Sequence, residues 1–299
     1  MDKIYNISIV LSFLGLWITS IVPGEYEIIL GFILIFSFGI LHGSNDILLI
    51  ENISNKKTKH PFFKVLSVYL LTVFSAVILF YYIPILAFIL FIIFSAFHFG
   101  EQHWENKMDK TNPLFVKIFY LFYGLFILFL LFLFNSQEVI EVIYSITNYT
   151  IVKEIIVYGL ITSSIILLVL ALTLIKTIYN FKVIVFKELF YLVVFTIVFK
   201  VSTLIWGFTI YFILWHSIPS LFEQVHFIYG SVKRDTIIDY LKGAFPYWLI
   251  SLVGIVIVVS IFKEEKLLYA ILFSFIAAIT FPHALVINKM FKHKKTQSN

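Results

Sequence analysis

The side chains in this sequence best equipped for chemistry are its histidines. There are 8 of them in 299 residues, and His42, His98, His216 and His283 interrupt stretches otherwise made mostly of Leu, Ile, Val and Phe. A neutral imidazole is a ready transition-metal ligand and proton carrier, and an ionisable group inside an apolar run is costly enough to need a partner or a function. The chain has 0 cysteines. That removes disulfides, thiolate metal sites, iron–sulfur clusters and cysteine nucleophiles, so any site must use imidazoles, carboxylates or hydroxyls. A single such histidine is more often a polar group hydrogen-bonded to a neighbouring helix than a ligand. Four of them point to shared ligand duty, although spacing alone would also suit a haem held by two histidines. His60, among lysines, and His293, near the C-terminal end, read as surface residues.

The elements that must position these groups follow from composition. Hydrophobic residues make up 61% of the chain and charged residues only 13%, with 35 Phe. A soluble domain carries about 25% charged residues, so too few are present here to cover a water-facing surface, and lipid must be the solvent. Apolar runs fall at about 5–22, 27–50, 65–83, 84–100, 114–134, 154–175, 186–200, 203–229, 246–262 and 267–288. The expected fold is all-α: a polytopic integral membrane helical bundle of about ten transmembrane helices. Residues 1–288 would form a single transmembrane catalytic domain and 289–299 a basic cytoplasmic tail. The stretch 186–229 is too long for one helix crossing a ~30 Å core at ~1.5 Å per residue, so a tight turn is expected near Lys200. The first run ends in Ser-Ile-Val-Pro-Gly without a small-x-small cleavage site, which reads as an uncleaved first helix with no export or lipidation signal.

The basic residues test this division. Of the 22, 18 fall on one side of the membrane, leaving Lys153, Lys200, Lys263 and Lys266 on the other. The positive-inside rule then makes both termini cytoplasmic in a multi-pass protein of the cell membrane. The net charge of +5 reports this topology and not nucleic-acid binding. In that arrangement the second, fourth, eighth and tenth runs all descend toward the cytoplasm. Their four imidazoles share one depth, about 5 to 15 Å above the nearest charged residue at ~1.5 Å per residue. A common level is what four ligands of one ion would produce in a helix bundle.

Local sequence adds supporting groups. In Leu41-His42-Gly43-Ser44-Asn45-Asp46, the carboxylate four residues after His42 returns to nearly the same helix face, where it can take the distal imidazole N–H and fix the tautomer; alternatively it caps a helix end near Glu51. Gly43 permits close approach of another backbone or a ligand. In Phe97-His98-Phe99-Gly100-Glu101-Gln102-His103, the two histidines diverge by ~140° on a continuous helix, so they do not chelate together. Glu101 is a supporting group there, and His103 is expected at the interface, although a helix break at Gly100 would leave it a supporting role. In Trp215-His216-Ser217-Ile218-Pro219-Ser220, Pro219 loosens the helix, while Ser220 and Glu223 return to the His216 face. Pro282-His283 repeats the association of a helix irregularity with a histidine. His226 is rotated away toward the interface.

Together, His-Gly-x-x-Asp at 42–46, His-Phe-Gly at 98–100, Trp-His-Ser-x-Pro-Ser at 215–220 and Pro-His at 282–283 resemble the Brp/Blh family of membrane β-carotene 15,15'-dioxygenases over nearly the whole chain. The order and spacing of these motifs carry the resemblance, since no one of them is specific. It implies an enzyme that uses Fe(2+) and O2 to cleave the central double bond of β-carotene into two retinals, commonly for a microbial rhodopsin. By position, His42, His98 and His216 would be catalytic iron ligands. The third family motif often carries a second histidine where this chain has Ser220. Either His283 completes the metal set or three protein histidines leave open positions, because serine is a poor ligand for iron(II). Phe97, Phe99, Trp104, Tyr211 and Trp215 could line a slot for the polyene, although lipid contact accounts for most of so many aromatics. Two other classes compete. A di-iron desaturase or hydroxylase would show histidines three or four residues apart, and none are so spaced here. A proton-coupled transporter would carry ionisable groups in both halves of the membrane, whereas here they gather in the inner half.

Overall fold

A computed structural model describes residues 2–53, 61–108, 112–178, 181–261 and 265–298, and among these every regular element is helical. In chain order they are α1 (Asp2–Thr19), α2 (Gly24–Leu34), α3 (Ile40–Gly43), α4 (Asp46–Ile53), α5 (Pro61–Tyr82), α6 (Pro84–Trp104), α7 (Pro113–Phe134), α8 (Ser136–Thr147), α9 (Lys153–Thr177), α10 (Phe181–Val201), α11 (Leu204–Tyr211), α12 (Ile218–Tyr229), α13 (Arg234–Ile261) and α14 (Glu265–Ser298). Two π-helical segments, Ile35–Gly39 and Phe212–Ser217, join α2 to α3 and α11 to α12.

Among the described residues, 6 helical stretches are long and apolar enough to cross a membrane: Gly24–Ile53, Pro84–Lys107, Pro113–Phe134, Lys153–Thr177, Leu204–Tyr229 and Arg234–Ile257. Each overlaps an apolar run of the sequence. The turn expected near Lys200 is present, between the end of α10 at Val201 and the start of α11 at Leu204. Thr203 caps α11, its Oγ1 accepting the Trp206 N–H at 3.3 Å, and Glu138 Oε2 accepts the Leu204 N–H at 3.0 Å. These bonds satisfy helix-start donors that hydrocarbon would leave bare. Glu138 lies on α8, a short helix that hydropathy alone does not reveal; its Val139 and Ile143 are buried while Glu141 is exposed. Residues 289–298, expected as a tail, continue α14 as helix. That helix also runs unbroken through Pro282, where an irregularity was expected.

The chain divides into two compact units. The first comprises Met1–Ile33, Ile92–Tyr144 and Asn148–His216; the second comprises Leu34–Phe91, Ser145–Thr147 and Ser217–Asn299.

In the first unit α7 packs along α9 and α10, and α1 lies against α10 and α11. The later turns of α6 cross α7 at backbone contact: a Cβ on Gly100 would overlap the Tyr120 backbone, and a Cβ on Gly124 would overlap the Ala96 carbonyl. Such small-residue crossings let helices approach where lipid offers no hydrophobic drive. Gly100 is therefore a packing contact, not a helix break. His103 is accordingly buried instead of interfacial, because continuing α6 turns its ring inward. Its Nε2–H donates to Glu188 Oε2 at 2.6 Å, Lys107 Nζ donates to Glu188 Oε1 at 2.8 Å, and the imidazole stacks on Tyr123. This cluster bolts α6 to α10.

In the second unit α14 packs on α5 and α4, with Leu49, Val286, Ile287, Met290 and Phe291 as its apolar centre. α13 lies on α3 and on the first π segment, where Trp248 Nε1–H donates to the Ser37 carbonyl at 2.7 Å. α12 packs against α13, α3 and α4.

Two outcomes follow for stability. Glu188→Ala leaves His103 and Lys107 without their shared carboxylate, and breaking a buried ion cluster in this way costs about 3 to 5 kcal/mol. The detergent-solubilised protein should show a clearly lowered thermal unfolding midpoint, and an unchanged midpoint would mean that the cluster contributes nothing. Gly124→Ala should also lower it, by about 1 to 3 kcal/mol, because the colliding atom is backbone and cannot rotate away.

Candidate functional site

In the first unit, α6 carries His98 and the second π segment carries His216. Their rings are crossed at 80° with centroids 4.7 Å apart, and both side chains are buried. The π segment explains the phase of His216. One extra residue in a turn rotates everything after it by about 100° relative to an unbroken α-helix, so the bulge decides which face the imidazole occupies. Pro219 explains the bulge. Its ring clashes with the carbonyl four residues back and it has no N–H to donate. The residue five positions after Leu214 is this proline, and the Leu214 carbonyl instead accepts from Ser8 Oγ on α1 at 2.6 Å. Neighbouring Trp215 is held the same way, its Nε1–H donating to Ser12 Oγ at 2.9 Å. Phe212 stacks on His216 at 5.5 Å, and Phe99 meets it edge-on at 4.7 Å.

In the second unit, the first π segment leads into α3, which ends at Gly43; Ser44 and Asn45 form a turn, and α4 begins at Asp46. The rings of His42 and His283 are perpendicular, at 90°, with centroids 4.7 Å apart. Asp46 Oδ1 accepts from His283 Nδ1 at 2.8 Å, and both groups are buried. With Asp46 as the acceptor Nδ1 carries the hydrogen, and in the neutral ring with that tautomer Nε2 holds the lone pair that a metal requires. Gly43 lies against this ring: a Cβ there would stand 3.4 Å from His283 Nδ1, an ordinary van der Waals contact.

Asp46 thus serves His283 and not His42, which corrects the expectation drawn from four-residue spacing. That argument needs a continuous helix, and the turn at Ser44–Asn45 swings the carboxylate toward α14.

The remaining predicted groups are accounted for. Glu101 is buried on α6, and Ser220 and Glu223 are buried on α12. Ser220 Oγ accepts from Gln224 Nε2 at 3.1 Å, so the position that often carries a histidine belongs here to a neutral hydrogen-bonded network. Of the aromatics considered for a slot, Trp104 packs on Phe119 and Trp215 on Phe195, whereas Phe99 lies against a candidate ligand ring. His226 is exposed as expected; His293 is half-buried with its ring edge-on to Phe227 at 6.1 Å; His60 lies outside the described residues. Sequence reading did not single out Asn45, Gln224, Tyr240, Glu188 or Glu27. Glu27 is buried and accepts from Thr203 Oγ1 at 3.2 Å. Asn45 stood in view within the turn-forming Ser-Asn-Asp string, but nothing distinguishes Tyr240 among 17 tyrosines.

The donor chemistry fits a metal ion. His42 and His283 in the second unit, and His98 and His216 in the first, are pairs of buried imidazoles, the donor type a transition metal takes. Crossed rings at this centroid separation leave their nitrogens close enough to be brought onto one ion. No curated protein and no solved structure matches the chain. The sequence profile described as "Beta-carotene 15,15'-dioxygenase" matches residues 33–291, a span that contains both imidazole pairs and Asp46, and the chain belongs to that family.

Proposed function

We propose that this protein is an iron-dependent dioxygenase that cleaves β-carotene at its central 15,15' double bond with O2, giving two all-trans-retinal molecules. The observation that carries this reading is the Asp46-oriented His283 crossed with His42 in a chain of this family. His42, His98 and His216 are the catalytic iron ligands, with His283 as the fourth in place of a histidine at Ser220. Bound to these imidazoles, Fe(2+) would supply the binding and activation of O2.

The chain's own residues do the rest. Asp46 holds the Nδ1 proton of His283 and so keeps the opposite nitrogen available. Phe212 stacks on one face of His216 and Phe99 packs edge-on against it, and together they keep water from the ring. Glu101 and Glu223, together with Ser220, are buried supports around the ligands. The reaction balances without a reductant: the carbon–carbon double bond and the O–O bond of O2 are both broken, two carbonyl bonds form, and each product keeps one of the two oxygen atoms. A substrate this apolar partitions into the bilayer, so a site within membrane-crossing helices spares it a passage through water.

Ten spans with both termini cytoplasmic, in the cell membrane, complete the reading, with 1–288 as one catalytic domain and 289–299 as a basic cytoplasmic tail. The retinal product would pass to a microbial rhodopsin.

Expression in cells that accumulate β-carotene should bleach their colour and yield retinal; normal membrane expression with no retinal would sink the assignment. Replacing His42, His98 or His216 singly by Ala should abolish both retinal formation and iron content. Full iron occupancy in His283→Ala would remove it from the ligand set. Asp46→Asn should weaken iron binding about 10- to 100-fold, as read by metal titration of the purified protein.

A further inference from the structure

The turn after His42 carries an arrangement that the ligand set does not explain. Where α3 stops, its last carbonyls need donors, because hydrocarbon supplies none. The Ile40 carbonyl accepts from Ser44 Oγ at 2.8 Å, and the Leu41 carbonyl accepts from the Ser44 N–H at 3.3 Å. The next carbonyl belongs to His42 itself, and the hydroxyl of Tyr240 on α13 approaches it at 3.3 Å. The same tyrosine grips the turn a second time. Its backbone carbonyl accepts from Asn45 Nδ2 at 2.9 Å. Tyr240 therefore holds both sides of the break, at the residue before Gly43 and at the residue before Asp46.

The hydroxyl is itself aimed. Its one proton is shared in a three-centre hydrogen bond between the His42 carbonyl and Gln224 Oε1, the latter at 2.7 Å, and Gln224 Nε2 donates onward to Ser220 Oγ at 3.1 Å. Tyr240, Gln224 and Ser220 are all at 0% exposure, so no water competes for these bonds. The amide orientation is consistent throughout, with its oxygen accepting and its nitrogen donating. Residue 220 thus anchors, through two hydrogen bonds, the clamp on the backbone of His42.

We propose that Tyr240, oriented by Gln224 and Ser220, is a positioning residue for the metal centre. It fixes the break between α3 and α4 so that the His42 imidazole and the Asp46 carboxylate both face His283. Without the clamp, α3 and α4 are free to re-form a continuous helix, and Asp46 would swing back over His42. The inference rests on the metal reading above.

Cobalt(II) titration of the purified full-length protein, followed by its visible ligand-field spectrum, tests it. Wild type should bind one Co(II) with a defined spectrum, and His42→Ala should lose it. Tyr240→Phe keeps the ring and removes only the hydroxyl; it should bind Co(II) about tenfold more weakly, within the range for groups that orient ligands, and with a shifted spectrum. In carotene turnover it should lower kcat and leave KM unchanged, since its bonds run to the ligand backbone. Asn45→Ala removes the other grip without touching Tyr240 and should shift the spectrum in the same direction, which keeps the test open if Tyr240→Phe does not fold. Wild-type affinity and spectrum in both variants, with His42→Ala still defective, would overturn the clamp while leaving the metal reading standing. No Co(II) binding by wild type would overturn both.

Discussion

A backbone carbonyl released from a helix inside hydrocarbon has no water to turn to, and most of what is unusual here answers that constraint. Two of the four candidate ligands sit at or beside places where helices stop being regular: His216 in one π segment, His42 a few residues after the other, at the end of α3. Each irregularity is paired with a donor from another helix. Ser8 serves the Leu214 carbonyl, Trp248 serves Ser37, and Tyr240 reaches His42. Irregular backbone at membrane depth survives only where protein supplies such partners, which is why the polar groups outside the ligand set gather around the breaks.

The same irregularities orient the imidazoles. A π segment changes the phase of everything after it, and a two-residue turn changes its direction, so a ligand can face a partner that a straight helix would miss. Asp46 shows the consequence. On a regular helix it would lie over His42; after the turn it reaches α14 and fixes the tautomer of His283. Ser220 has a matching part, because a hydroxyl at that position can support a hydrogen-bonded chain to the backbone of His42.

Within the first unit the load is carried differently. Close crossing of α6 and α7 at Gly100 and Gly124, and the cluster of His103, Lys107 and Glu188, hold α6 against α7 and α10. Gly-rich contact and buried ion pairing replace the hydrophobic drive that is missing between helices in lipid. His98 is carried on the helix fixed by both.

Composition and periodicity were enough to read an all-helical chain with helices apolar enough to cross a membrane, to put a turn near Lys200, and to mark His42, His98, His216 and His283 as ionisable groups within apolar runs, which the structure buries, because hydropathy is a property of local sequence. Partners were not legible. The sequence placed Asp46 beside His42, took Gly100 for a break and Pro282 for an irregularity, and passed over Tyr240 and Glu188. Most of those errors have one cause: helix geometry fixes neighbours three and four residues away, whereas a break in a helix and the side chain that satisfies it come from segments 198 to 211 residues apart. Which ionisable groups sit within apolar helices was therefore written along the chain; which group holds each of them in place was decided only when the helices packed.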